Sequence, residues 1–215
     1  MDPCKRLLLA NMAWVAERLK IRPEFFARQA ADQAPDFMWI GCSDSRVPAE
    51  EITGCGPGEL FVHRNIANLV QDTDLSVLGG LEYAIDVLNV NHIIVCGHYN
   101  CGGVKSAMTR SGVGLINSWL RQLEHTYSSY QNEIESLAIY QDRWDRMVEI
   151  NVVQQLQNLA KTSVVRRAWR IGQRPTLHGW VYDLRSGLLK ELGRVSADGQ
   201  MHDLTGTLEA GHVGI

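Results

Sequence analysis

The feature that most constrains this chain is a pair of short polar stretches, each set directly behind an apolar run. Ile40-Gly41-Cys42-Ser43-Asp44-Ser45-Arg46-Val47-Pro48 follows the run from Phe37 to Gly41, and Gly97-His98-Tyr99-Asn100-Cys101-Gly102-Gly103 follows the run from His92 to Gly97. Short apolar runs bounded by turn residues read as buried strands, so each stretch places its polar side chains at a strand end. That is where sites form in parallel α/β sheets. Between them, Glu59 to His63 reads as a further strand behind the turn-rich segment 53–58. Residues 75–88 then carry apolar side chains at 77, 78, 81, 84, 85 and 88, a helix period. Strand, helix and strand in that order make a crossover, which demands a parallel sheet.

Two thiols and one imidazole, from Cys42, Cys101 and His98, form a soft donor set suited to zinc. A structural zinc site takes a fourth protein ligand, whereas a catalytic one leaves that place to water. Asp44, two residues from Cys42, is the candidate fourth ligand. Arg46, two residues further on, offers a guanidinium fork that suits a carboxylate bidentately. Asp44 therefore has two rival partners, and the metal has an open position where Arg46 wins. Past Cys101, Gly102 and Gly103 enter a helix, where bare backbone N–H groups and the helix dipole favour an anion. A tight strand-to-helix turn is an equally good reason for those glycines.

Cys42-Ser-Asp44-Ser-Arg46, His98-x-x-Cys101-Gly102-Gly103 and the intervening Phe61-Val-His-Arg64-Asn65-Ile66-Ala67-Asn68-Leu69 resemble the β-class carbonic anhydrases. The resemblance runs from roughly residue 30 to 105 and more loosely across residues 178–182. It implies an α/β fold: a mostly parallel β-sheet flanked by helices, with an N-terminal helical arm. It also implies one Zn2+ per subunit and reversible hydration of carbon dioxide to bicarbonate and a proton by zinc hydroxide. Asp44 would switch between zinc and Arg46, and the catalytic unit would be a homodimer or a dimer of dimers, making a homotetramer. By position in the family motif, Gln33 would reach the substrate oxygen across the dimer interface, and Phe61, Ile66 and Tyr83 would line the carbon dioxide pocket. Trp39, Arg64 and Tyr182 match positions that hold a second, inhibitory bicarbonate in the bacterial type II subgroup, whose Asp ligand is switched by pH.

Along the rest of the chain, residues 3–20 show helical spacing and Pro23 opens a second short helix to about residue 31. These pack on the chain's own core or, as the resemblance implies, across a partner subunit. Segments 114–127, 133–140 and 142–160 read as helices, Thr162 or Ser163 caps another ending near Gly172, and 176–184 with 188–195 form a hairpin around Arg185-Ser-Gly187. One domain is expected over residues 1–215, with an arm (1–35), a sheet core (36–195) and a tail (196–215).

Composition sets the outer limits. An apolar content of 45% supports a real core, and a net charge of −3 gives no electrostatic reason to expect nucleic acid. Five cysteines without regular spacing argue for a reducing compartment rather than a disulfide framework. Lys5-Arg6 before Leu7-Leu8-Leu9 mimics a signal peptide, but Asn11, Glu17, Arg18 and Lys20 favour an amphipathic helix, and no run is long enough to span a membrane. A cytoplasmic enzyme is the expectation. The rivals are a zinc enzyme acting on a sulfur analogue such as carbon disulfide, and a binding module held closed by Asp44. A thiol redox protein lacks a local Cys-x-x-Cys pair.

Overall fold

Apolar runs that lack a helix period must bury both faces, and in this chain they become the centre of a sheet. The computed structural model describes residues 1–203 apart from 173 and 199. The chain divides into two units, Met1–Ala34 and Pro35–Ile215.

In the first unit, α1 (Pro3–Ile21) starts at Asp2, whose carboxylate accepts the Cys4 N–H at 3.1 Å, and α2 (Phe25–Gln29) follows. The Trp14 ring meets Phe25 and Phe26 edge-on, at 6.0 and 5.5 Å. Leu7, Leu8 and Met12 are exposed.

The second unit begins with β1 (Phe37–Cys42), α3 (Ala49–Thr53), β2 (Leu60–Asn65), a 3-10 turn (Ile66–Asn68) and α4 (Leu75–Glu82). After β3 (His92–His98) come α5 (Gly102–Thr109), α6 (Leu115–Ser129), α7 (Gln131–Ser136), α8 (Tyr140–Lys161) and α9 (Ser163–Ile171). The strands β4 (Thr176–Asp183), β5 (Leu188–Val195) and β6 (Met201–Asp203) complete a sheet of order β2-β1-β3-β4-β5-β6. β2, β1, β3 and β4 run parallel, while β5 and β6 are antiparallel additions. The expected strands are present to within a residue or two at their ends. The chain leaves β1 toward β2 on one side and β3 toward β4 on the other, so the β1/β3 carboxyl ends form a switch point, where such sheets open a crevice.

Met38, Ile40, Ile93, Val95 and Leu177 pack with Leu156, Leu159 and Val165 on one face. Trp39, Ile94 and Cys96 pack with Ala49 of α3 on the other. Cys96 is core packing, and burial pushes its thiol up. The helix α8 lies close to β3 because residue 97 is glycine; a Cβ there would come within 2.6 Å of Val152 Cγ2.

Two expectations change. The helix expected over 75–88 is α4 followed by a π turn (Tyr83–Val87), closed by Leu88 N–H donating to Tyr83 O at 3.0 Å. Within the expected tail, β6 pairs with β5 through Val195↔Met201; its sequence is too short to carry a strand period, and the partner edge induces it. The tail beyond 203 lies outside the described residues. Among the described residues, no helix is long and apolar enough to cross a membrane.

Gly97→Ala is expected to cost about 1–3 kcal/mol in urea unfolding, and less in a Val152→Ala background, where the clashing methyl is gone.

Candidate metal centre

The strand ends deliver three donors to one point. Cys42 closes β1, His98 closes β3, and Cys101 sits as N-cap of α5; all three are buried. Their sulfur and nitrogen atoms lie within 4.8 Å of one another. The two Sγ atoms are 3.9 Å apart, close to the roughly 3.8 Å that two tetrahedral zinc–sulfur bonds of about 2.3 Å would span. His98 Nδ1 is 2.9 Å from the Tyr99 carbonyl and must donate to it. Nε2 then carries a lone pair, is buried and has no hydrogen-bond partner among the described residues. A buried acceptor left unpaired beside two thiols fits a zinc ion.

The thiols titrate as a unit. One proton leaves readily because the Cys101 thiol donates to the Cys42 sulfur, which the backbone N–H groups of Asp44 and Ala67 also face. The second is held by that same bond, by burial and by the charge already on Cys42. A divalent cation between them removes that repulsion.

Asp44 lies at the rim, on Arg46. Arg46 Nε donates to Oδ1 at 2.9 Å and Nη2 to Oδ2 at 2.7 Å, and the Arg46 backbone N–H adds a bond at 3.0 Å. These bonds hold the Asp44 carboxyl well below the usual carboxylate range. Asp44 Oδ2 is nevertheless only 3.7 Å from His98 Nε2. A carboxyl with a depressed pKa loses its bound-state advantage only as pH falls through that low value. Asp44 is therefore ionised throughout the neutral range, and a pH dependence there does not report its protonation.

The other expected site residues divide. Arg64 donates from Nε to Cys42 O at 2.9 Å and from Nη2 to Asp44 O, gripping the backbone of the first motif. Trp39 is buried with its indole across Gly41, and Tyr182 stands opposite His98 in the β3–β4 register on the same sheet face. Ile66 packs where a Cβ on Gly103 would fall, 2.9 Å from its Cγ2, so Gly103 is needed for a close approach. Gly102 opens α5 with nothing near its Cβ direction. Phe61 and Tyr83 stack on each other, with centroids 5.7 Å apart, rather than among the residues packed around Cys42 and Cys101. Gln33 stands in the N-terminal unit, its N–H on Asp32 Oδ1 at 2.8 Å.

Three further residues take part that carried no individual role in the sequence. Trp144 of α8 donates its indole N–H to Cys101 O at 3.0 Å, although its spacing marks it only as part of an apolar stripe. Ala67 and Asn68 take left-handed backbone conformations, at φ 64° and 50°. That strain costs on the order of 1–3 kcal/mol each in a non-glycine residue.

A family profile described as carbonic anhydrase matches residues 37–189. A carbonic anhydrase of Emericella nidulans is 46% identical over 187 residues, covering 87% of this chain and 82% of that protein. A carbonic anhydrase of Pseudomonas aeruginosa is 39% identical over 181 residues, covering 81% of each. Among solved structures, the Coccomyxa β-carbonic anhydrase in complex with acetazolamide superposes with a TM-score of 0.86 at 37% identity, covering 91% of this chain and 89% of that one. The tetrameric β-carbonic anhydrases of Sordaria macrospora give 0.84 at 35% identity, covering 89% and 98%.

Cys101→Ser is expected to leave a folded protein whose zinc content, by mass spectrometry, falls well below one per chain; full zinc occupancy would remove Cys101 from the ligand set.

Proposed function

The chain belongs to the β-class of the carbonic anhydrase family and is a zinc-dependent carbonic anhydrase, and on that premise we propose how its residues divide the work. Cys42, His98 and Cys101 hold the metal. When bound there, zinc supplies Lewis acidity that lowers the pKa of water to about 7 and makes it a nucleophile at neutral pH. Asp44 accepts a hydrogen bond from the attacking water and aims its lone pair at the carbon of carbon dioxide. Arg46 keeps Asp44 in that post. The observation that carries this reading is the two-pronged Arg46–Asp44 bond beside an unpartnered His98 Nε2.

Carbon dioxide is small and apolar, so its pocket needs apolar walls more than polar anchors. Ile66, against Gly103, supplies one wall. The resemblance adds Phe61 and Tyr83, supported here only by their apolar stack. The N–H of Gly102, at the start of α5, favours the bicarbonate product, and Gln33 meets the substrate oxygen from the partner subunit. A homodimer, or a dimer of dimers as in the tetrameric Sordaria relatives, is the assembly this reading requires.

The regulatory part of the proposal assigns Asp44 a second position. Released from Arg46, Asp44, whose Oδ2 is 3.7 Å from His98 Nε2, would offer a further oxygen donor to a metal held there and so would close the site. Arg64 couples this to bicarbonate because its guanidinium grips the carbonyls of Cys42 and Asp44. An anion bound between Arg64, Trp39 and Tyr182 draws the guanidinium off those carbonyls and loosens the loop that holds Asp44. The type II pattern, otherwise named for bacteria, would then operate in this chain.

Arg46→Ala is expected to lower carbon dioxide hydration in stopped flow roughly 10- to 100-fold with zinc still bound; full activity contradicts the pairing role. Trp39→Phe and Arg64→Ala are expected to flatten the pH profile between about pH 6.5 and about pH 9 and to weaken inhibition by bicarbonate. Unchanged profiles and inhibition dismiss the second site.

A further inference from the structure

A core helix rarely carries buried amides. The helix α8 carries two, Asn151 and Gln155, both 0% exposed, within the stripe that also holds Val148, Val152 and Leu159. A buried amide is tolerated only when hydrogen-bonded, and these spend their bonds on one distant segment, residues 67–70. Asn151 Nδ2 donates to Ala67 O at 3.0 Å, and Gln155 Oε1 accepts the Val70 N–H at 2.9 Å. Gln155 Nε2 donates to Asn151 Oδ1 at 3.0 Å, tying the two together. Asn158, partly buried on the next turn, donates to Val70 O at 3.2 Å.

That segment needs a clamp. It contains the left-handed Ala67 and Asn68, and its other support is the Asn65 side chain, which bonds both backbone groups of Leu69, at 2.7 and 2.8 Å. Its position matters to the metal site twice. Ala67 is fully buried and packs in one cluster with Cys42 and Cys101. On the other side, Ala67 Cβ lies 3.1 Å from where a Cβ on Gly103 would stand, so the same turn backs the helix entrance that carries Cys101. The helix α8 grips that entrance as well, through Trp144 on Cys101 O.

We infer that Asn151 and Gln155 are positioning residues for metal binding: they clamp the Ala67 turn behind both cysteines and so pre-form the cage. The inference rests on the reading of Cys42 and Cys101 as metal ligands. Without the clamp, the turn packed behind both cysteines must be re-formed each time the site closes on a metal. Outer contacts of this kind tune metal affinity even though they touch no ligand.

The test compares wild type, Asn151→Leu and Gln155→Met with Leu177→Ala, a core truncation on β4 that alters no hydrogen bond to residues 67–70. Each protein is stripped of metal, then loaded with zinc against a chromogenic chelator and, separately, with Co2+ for absorption spectroscopy. The amide variants are expected to bind zinc roughly 10- to 100-fold more weakly. Their sulfur-to-cobalt charge-transfer band should move from its wild-type wavelength, since the turn packed against both cysteines is displaced. Leu177→Ala should lower the melting temperature and leave affinity and spectrum at wild-type values, which a purely structural role for the amides would also leave untouched. Should the inner variants not fold, Asn158→Ala removes only the outer rung and is expected to shift both readouts the same way by less. Wild-type affinity with an unshifted band in any folded amide variant overturns the inference. Wild-type protein that takes up no zinc defeats instead the ligand reading beneath it.

Discussion

Two thiols buried 3.9 Å apart beside an imidazole nitrogen with no partner form an arrangement that a protein does not keep for packing alone. Both sulfurs prefer to ionise only if something offsets their mutual repulsion and their loss of water. A zinc ion does so, and it explains at once the spacing of the donors, the fixed tautomer of His98 and the N–H groups aimed at each sulfur. The crossover topology serves that point. It brings the ends of β1 and β3 side by side at the one place in the sheet where neighbouring connections diverge.

The second constraint is charge. Two thiolates already neutralise a divalent ion, so a third anionic ligand makes the centre net negative and fills its last position. Asp44 stands close enough to do this and is held elsewhere by Arg46 in a bidentate bond. Because Arg46 is largely exposed, the bond adds little to fold stability and is better understood as a matter of placement. Arg64 and Arg46 both anchor this rim to backbone carbonyls, the latter through a longer contact to Asn100 O at 3.4 Å. The two ligand motifs are thus joined across the strand ends.

Much of this was legible in the sequence, for reasons that are local. The runs 37–41 and 92–97 are short, apolar and bounded by turn residues, and Cys-x-Asp-x-Arg places a carboxylate and a guanidinium within reach of each other on one loop. What could not be read depends on distant contacts. The clamp joins residues 67–70 to 151–158, and its only trace is two amides inside an apolar stripe. The π turn at Tyr83–Val87 and the strand Met201–Asp203 likewise answer to neighbours rather than to their own composition. Phe61 and Tyr83, placed by their motif positions at the substrate pocket, stack on each other within the second unit, a contact that their sequence separation does not show.

In the proposed mechanism Arg46, rather than the metal, holds Asp44 in the active form. The most direct measurement is a crystal structure of the zinc-loaded protein near pH 8, where the activating ionisation is complete on the scale set by a water pKa of about 7. The account predicts three protein ligands, Cys42, His98 and Cys101, with Asp44 still paired to Arg46. An Asp44 carboxylate oxygen at ligand distance from the zinc at that pH, with Arg46 turned away, would contradict it.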